Sequence, residues 1–385
     1  MKYLRFAALA LLFVFLALTL VHSLDSINQD IGRHLKLGQI IWETKSIPKT
    51  NLFSFTEPDH FFINHHWLSE VVFYLLSGII GLKGLIIFKA AVVAVSFWLI
   101  YPAPFGDCAK RNLPKDVAKG CGVYKSADKK TGLWPFLISA PLGILVILNR
   151  SDVRPEIFSY LFLAFFVFAI LRARFFGQHR WLYALPFVQI LWTNAHIYFV
   201  LGPALLLFLL IDAALDKERK TALSKIFWIF LATSAATILN PNFIKGALAP
   251  LYILKDYGYT IVENQSVFFL KDYGMQLATI NVFEISLIAL IISFVVALKN
   301  GGRKIVFEFL TGLAFSILAV KMIRNTGIYA LVFTSVTALN LSTIKPAARF
   351  LKRPVRILFY LTLSAILAFL TINVLNNNLR KWMQE

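Results

Sequence analysis

The chain alternates long apolar runs with short polar breaks, and this alternation constrains its fold more than any other feature. A helix needs ~17–25 apolar residues to cross the hydrocarbon slab of a bilayer. Runs of about that kind fall at Phe6–Val21, Leu85–Tyr101, Leu133–Leu148, Ile157–Leu171, Trp181–Thr193, Ile197–Leu215, Ile226–Leu239, Ile280–Leu298, Ile305–Val320, Gly327–Leu341 and Val355–Leu375. That makes about eleven spans, with boundaries good to ~2–4 residues. Several are short and must borrow flanking residues or sit in a thinned bilayer. A β-barrel would show short alternating segments instead, and none appears. The expected fold is therefore an all-α polytopic membrane protein of about 11 transmembrane helices, with a long first extracytoplasmic loop containing interfacial helices. A mean hydropathy of +0.70 agrees.

The formal net charge of +19 fits nucleic acid until its placement is read. The Lys and Arg sit in breaks between apolar runs, as the positive-inside bias predicts, and no nucleic-acid-binding motif accompanies them. The lipid bilayer is the expected partner, and nucleic acid is not. The segment Trp67–Leu82 is apolar enough to span, but it holds Glu70 and ends at Gly81. Counting it as a span would put the basic loop 105–132 outside, together with Arg172, Arg174 and Arg180. Reading it as an interfacial or re-entrant helix restores the charge rule. The N-terminus is then cytoplasmic, with the first apolar run kept as a signal anchor because no A-x-A-like site follows it. One domain, 1–385, is expected, comprising an extracytoplasmic loop 24–83, the basic cytoplasmic loop 105–132 and no soluble C-terminal domain. Cys108 and Cys121 fall in that basic loop. Without His ligands beside them they are weak evidence for zinc, and reduced thiols are the cytoplasmic default.

The outward breaks gather ionisable residues, and charge near the membrane is costly enough that convergence on one face points to function. The first loop opens with Asp25 and Asp30. Its segment IGRHLKLGQIIW carries Ile31, Leu35 and the Ile41–Trp42 pair at near-helical spacing and reads as a short amphipathic helix on the membrane. Asp152, Arg154 and Glu156 lie in the turn NRSDVRPE, where Pro155 starts the next helix. Two acid clusters from separate helix ends supply a proton acceptor for a hydroxyl, or ligands for a divalent ion against a phosphate. Arg324, with Lys321, offers planar paired donors to phosphate oxygens, although lipid headgroups alone could neutralise it. His65 and His66 diverge as neighbours and form no helical H-x-x-x-H pair, so an interfacial His/Trp belt is favoured over a metal site. Asn194 and His196 stand at a break between helices, where they line a cavity or cap backbone. Glu263 belongs to a polar knot with Asn264 and Gln265. Candidate substrate- or phosphate-binding residues are thus Arg154, Lys321, Arg324, His66, Asn194, His196 and Glu263.

With these residues in view, the chain resembles the GT-C glycosyltransferases, multi-spanning enzymes that take a sugar from a polyprenyl phosphate or diphosphate. The layout carries the likeness: a first helix, a long outer loop with an acid just after it, interfacial helices, and a second acid in the next outer turn. The matching stretches are D-x4-D at Asp25–Asp30, FINHHWLSEVVFYLL, NRSDVRPEIFSYLFL, LPFVQILWTNAHIYFVLG, LNPNF and MIRNTGIYALV. The resemblance implies a GT-C-like fold in the bacterial cytoplasmic (inner) membrane, with its active site facing outside. It implies inverting transfer of a hexosyl or pentosyl group to a glycan, lipid or protein acceptor. Asp25 or Asp30 matches the catalytic acid of the first loop, Asp152 or Glu156 the second acid, and Arg324 the late Arg that faces the phosphate. A divalent cation, Mg or Mn, fits this scheme with Asp30 and Asp152 as ligands. The loop 105–132 is longer than the family's usual cytoplasmic link.

Two rival classes are weighed against this reading. A transporter or flippase of lipid-linked sugars calls for ionisable groups at mid-bilayer and related halves, yet the spans are almost free of charge at their centres. An O-antigen polymerase or ligase would place its long loop late rather than after the first helix.

Overall fold

The computed structural model describes residues 2–21, 30–101, 133–216, 220–252, 261–300, 305–344 and 353–379. Asp25, the loop 105–132 with both cysteines, and the end of the C-terminal tail lie outside the described residues. The helices in chain order are α1 (Lys2–Leu20), α2 (Ile31–Thr44), α3 (Trp67–Ile100), α4 (Trp134–Ile147), α5 (Glu156–Phe176), α6 (Leu185–Ala195), α7 (Leu201–Leu215), α8 (Leu223–Ala236), α9 (Phe243–Tyr252), α10 (Val267–Asp272), α11 (Leu277–Lys299), α12 (Val306–Lys321), α13 (Thr326–Leu341) and α14 (Arg353–Leu375). No strand forms among the described residues; Thr50 and Phe61 make an isolated antiparallel bridge in the first loop.

Every expected apolar run coincides with a helix. Six stretches among the described residues are long and apolar enough to cross a membrane: Tyr3–Leu20, Trp67–Ile100, Glu156–Phe176, Ile197–Leu215, Leu277–Lys299 and Pro354–Leu375. The helices α4, α6, α8, α12 and α13 have 11–16 residues. At 1.5 Å per residue they reach about 17–24 Å, short of the ~30 Å hydrocarbon core.

The bundle is arranged as a lipid solvent selects. On α11, Ile285, Ile288, Ile292 and Val295 point outward and are 45–58% exposed. Ser286 and Ser293 of the same helix point inward, 3.1 Å from the Tyr329 hydroxyl and 3.0 Å from Asn340 Nδ2. Polar groups paired inside and apolar side chains outside are what a membrane demands. The central helix is α13, buried from Thr326 to Asn340. α4 packs closely on it through Gly143, where a Cβ would stand 2.0 Å from Thr334 Oγ1.

Two local features position the site. α3 is interrupted at Gly81 (φ 69°, ψ 177°), a conformation essentially reserved for glycine. This splits 67–80 from 82–100, where the sequence ends its interfacial segment. α2 forms over the expected amphipathic stretch, and its covered face adds His34, Leu37 and Gly38 to the expected Ile41. Ile31 and Leu35 are half-buried and Trp42 is exposed, whereas His34, Leu37, Gly38 and Ile41 are buried against α3. The reason is Gly38: a Cβ there would lie 2.1 Å from the Glu70 carbonyl oxygen. Without one, the two backbones close up and His34 reaches the Glu70 side chain.

α5 carries buried charge at both ends, Glu156 and Arg174, separated by a rise of about 27 Å. At the Arg174 end its guanidinium pairs with Asp212 at 3.2 Å and Glu308 at 2.9 Å. The Glu156 end gathers the candidate residues.

Candidate active site

Five breaks in the helical pattern meet at the N-terminal end of α5: the loop 45–66, the turn 148–155, the break at His196, the 3-10 turn Val262–Asn264 and the 3-10 turn Ile323–Asn325. The second of these is closed by ion pairs. Arg150 donates to both oxygens of Glu156, Nε to Oε1 at 3.1 Å and Nη2 to Oε2 at 3.0 Å, and the Tyr160 hydroxyl adds a third donor at 3.2 Å. Arg150 and Arg154 also hold Glu263, at 3.2 Å and 2.5 Å. Burial pushes the Glu263 carboxyl up, but the two guanidinium groups prevail and hold it at about 2. Asp152 is a third exposed and stands 3.7 Å from Arg154. Lys89, buried in α3, donates to the Ser151 carbonyl and ties this turn to the core.

Arg324 enters on the 3-10 turn Ile323–Asn325. The turn that carries it is docked by Ile323 N–H to the Gln265 carbonyl at 3.0 Å, and by Asn325, which accepts from Tyr198 at 2.8 Å and donates to the Leu318 carbonyl at 2.9 Å. Arg324 Nη1 donates to Asn264 at 3.1 Å, and its side chain interacts with Tyr198 and His196. Its Nε–H is buried without a partner among the described residues. The Nε–H groups of Arg5 and Arg356 share this state elsewhere in the chain.

Beside Arg324 runs a column of histidines drawn from three elements. His34 of α2 meets His66 edge-on, with ring centroids 6.0 Å apart. His66 stacks on His196 at 5.0 Å, and His196 meets Tyr198 edge-on at 4.5 Å. His34 Nδ1 lies 2.9 Å from Glu70 Oε1, while Asn64 donates to Glu70 Oε2 at 2.6 Å. At the other end, the Trp192 indole N–H donates to Ser159 at 2.8 Å. The Tyr198 backbone N–H donates to His196 Nδ1, so that nitrogen accepts and Ser159 is the donor in its 2.9 Å bond to it. With Nδ1 accepting, the His196 proton sits on Nε2. Burial holds His66 and His196 well below the ordinary histidine range, with repulsion from neighbouring cations and rings adding to it. Burial alone brings His65 to about 4.

The structure sorts the sequence candidates. It brings together Asp152, Arg154, Glu156, Glu263, Arg324, His66 and His196. It leaves Asp30 exposed at the start of α2 with no side-chain cap bond, and Lys321 exposed at the end of α12. Asp25 lies outside the described residues. Asn194 is fully engaged as a tie: it accepts from the Trp67 indole at 2.8 Å and donates to the Ile190 and Leu239 carbonyls. Sequence reasoning passed over His34, Asn64, Glu70 and Ser159. The only available signal was Glu70 itself, a carboxylate in an apolar helix. Among the described residues no group of three or more His, Cys, Asp or Glu stands close enough to hold a metal ion. No family model matches the chain, and no curated protein matches it.

Proposed function

We propose that the protein is a membrane glycosyltransferase that moves a sugar, with inversion, from a polyprenyl phosphate or diphosphate donor to an acceptor at the face bearing the loop 24–83. The observation that carries this reading is the Arg324 guanidinium. It is anchored by Asn264, flanked by Tyr198 and His196, and keeps one buried N–H without a partner. Such a group suits the phosphate that leaves when the glycosidic bond breaks. Preset donors at a developing charge commonly give more of the acceleration than any other effect, each worth about 10²–10³ in rate.

In this reading the lipid tail lies along the apolar outer faces of the helices. The short helices complete about eleven spans by borrowing flanking turns or thinning the bilayer. The N-terminus is cytoplasmic and the site faces outward in a bacterial inner membrane. Glu156, already accepting from Arg150 and Tyr160, supports the site rather than taking a proton. Asp152 and Arg154 lie at its rim, where the acceptor or a Mg or Mn ion on the donor phosphate would be met.

Reconstitution tests the proposal. Purified protein in liposomes holding a radiolabelled polyprenyl-phosphate sugar, supplied with a lipid and glycan extract of its source membranes, should transfer label to the extract and release polyprenyl phosphate. Movement of intact donor between leaflets without bond cleavage would instead establish a flippase.

A further inference from the structure

We infer that His34, oriented by Glu70, is the base that takes the acceptor proton in the glycosyl transfer proposed above, a reading on which this inference rests. Both Glu70 oxygens accept hydrogen bonds, from His34 at 2.9 Å and Asn64 at 2.6 Å. A carboxylate so engaged is an acceptor only, which puts the His34 ring proton on Nδ1 and the lone pair on Nε2. The dyad is fixed: His34 is 3% and Glu70 0% exposed, and Gly38 sets the approach of their helices. A carboxylate that holds an imidazole by one nitrogen and stabilises the imidazolium formed at the other is the standard device for making histidine a base.

The placement suits the chemistry. His34 stands at one end of the histidine column and Arg324 acts on its other end, beside His196. Inversion needs the attacking oxygen and the leaving group on opposite sides of the anomeric carbon. In the step, the acceptor O–H gives its proton to His34 Nε2 while its oxygen bonds to the anomeric carbon. The bond from that carbon to the phosphate oxygen breaks, and its electron pair leaves with the lipid phosphate toward Arg324. Asp30, four residues before His34, contributes a backbone carbonyl that accepts from the His34 N–H at 3.1 Å, so the acid that stands out in the sequence begins the helix that presents the base.

His34→Asn separates this role from a structural tie. An Asn amide can still donate to Glu70 from the position of Nδ1, but it has no counterpart of Nε2. In the liposome assay, His34→Asn should keep wild-type thermal stability and donor KM while kcat falls about 10²–10⁴-fold, the usual worth of a positioned base. Wild-type kcat in this variant would overturn the inference while leaving the transferase reading intact. A wild-type protein that moves no sugar from a polyprenyl-phosphate donor would overturn both. If His34→Asn does not fold, Glu70→Gln serves, since it keeps an acceptor for one partner and removes the charge that stabilises the imidazolium. It should lose kcat at unchanged donor KM, and full kcat there would equally refute the base.

Discussion

His66 and His196, far apart in the chain, stack with ring centroids 5.0 Å apart and planes 25° from parallel. Two imidazoles at that distance, in a buried site beside Arg324, are held neutral. The stack joins the base at one end of the site to the guanidinium at the other, and it makes the fold sensitive to acid.

That sensitivity is measurable. His65, His66 and His196 resist protonation in the folded chain, whereas unfolded histidine takes its proton near 6.5. Below that pH the unfolded state binds more protons, so stability falls as pH falls. Glu263 acts lower: its folded value of about 2 against 4.5 unfolded means its contribution is lost as pH drops from 4.5 toward 2. Thermal scans of the detergent-purified protein should show a falling Tm between pH 7 and pH 5. An unchanged Tm over that range would contradict the neutral histidine column.

Arg150 and Glu156 form a buried pair with 7% and 3% side-chain exposure. Arg150→Met leaves the carboxylate without its main partner and should cost about 3–5 kcal/mol, whereas the double change Arg150→Met with Glu156→Leu should recover much of that loss. Chemical denaturation in mixed micelles reads both. A single variant as stable as wild type would mean that the pair does not hold the turn 148–155.

Gly38→Ala tests how the site is assembled. Its Cβ would meet the Glu70 backbone at 2.1 Å, so α2 must shift away from α3 and take His34 off Glu70. Transfer should drop by an order of magnitude or more, while membrane insertion, governed by the apolar helices, is kept. Wild-type activity in Gly38→Ala would show that this contact does not set the geometry.

The outline of this structure was legible because lipid and core both select apolar runs. Each run became a helix, and Gly81 broke α3 where an acid-bearing segment met a long apolar one. The site was less legible. Hydrophobic spacing on α2 picked Ile31 and Leu35, yet the packed face carries His34 and Gly38, because a buried carboxylate and a close backbone contact outweigh apolar preference there. The histidine column has no sequence spacing at all: His34, His66 and His196 meet only after α2, α3 and α6 are packed. The same holds for Arg174, Asp212 and Glu308: Arg174 belongs to an expected inner turn, whereas Asp212 and Glu308 lie within the expected spans Ile197–Leu215 and Ile305–Val320, and only packing pairs them. Glu156 reads as an acid of the site from its turn, while its pairing with Arg150 has no signal in one dimension.

The most direct measurement is native mass spectrometry of the lipid that co-purifies with wild-type protein and with Arg324→Ala. A polyprenyl phosphate, with or without its sugar, should be bound to the wild type and lost or reduced at least tenfold in the variant. Equal retention by both proteins, or the absence of any polyprenyl lipid from the wild type, would contradict the proposed role of Arg324 at the donor phosphate.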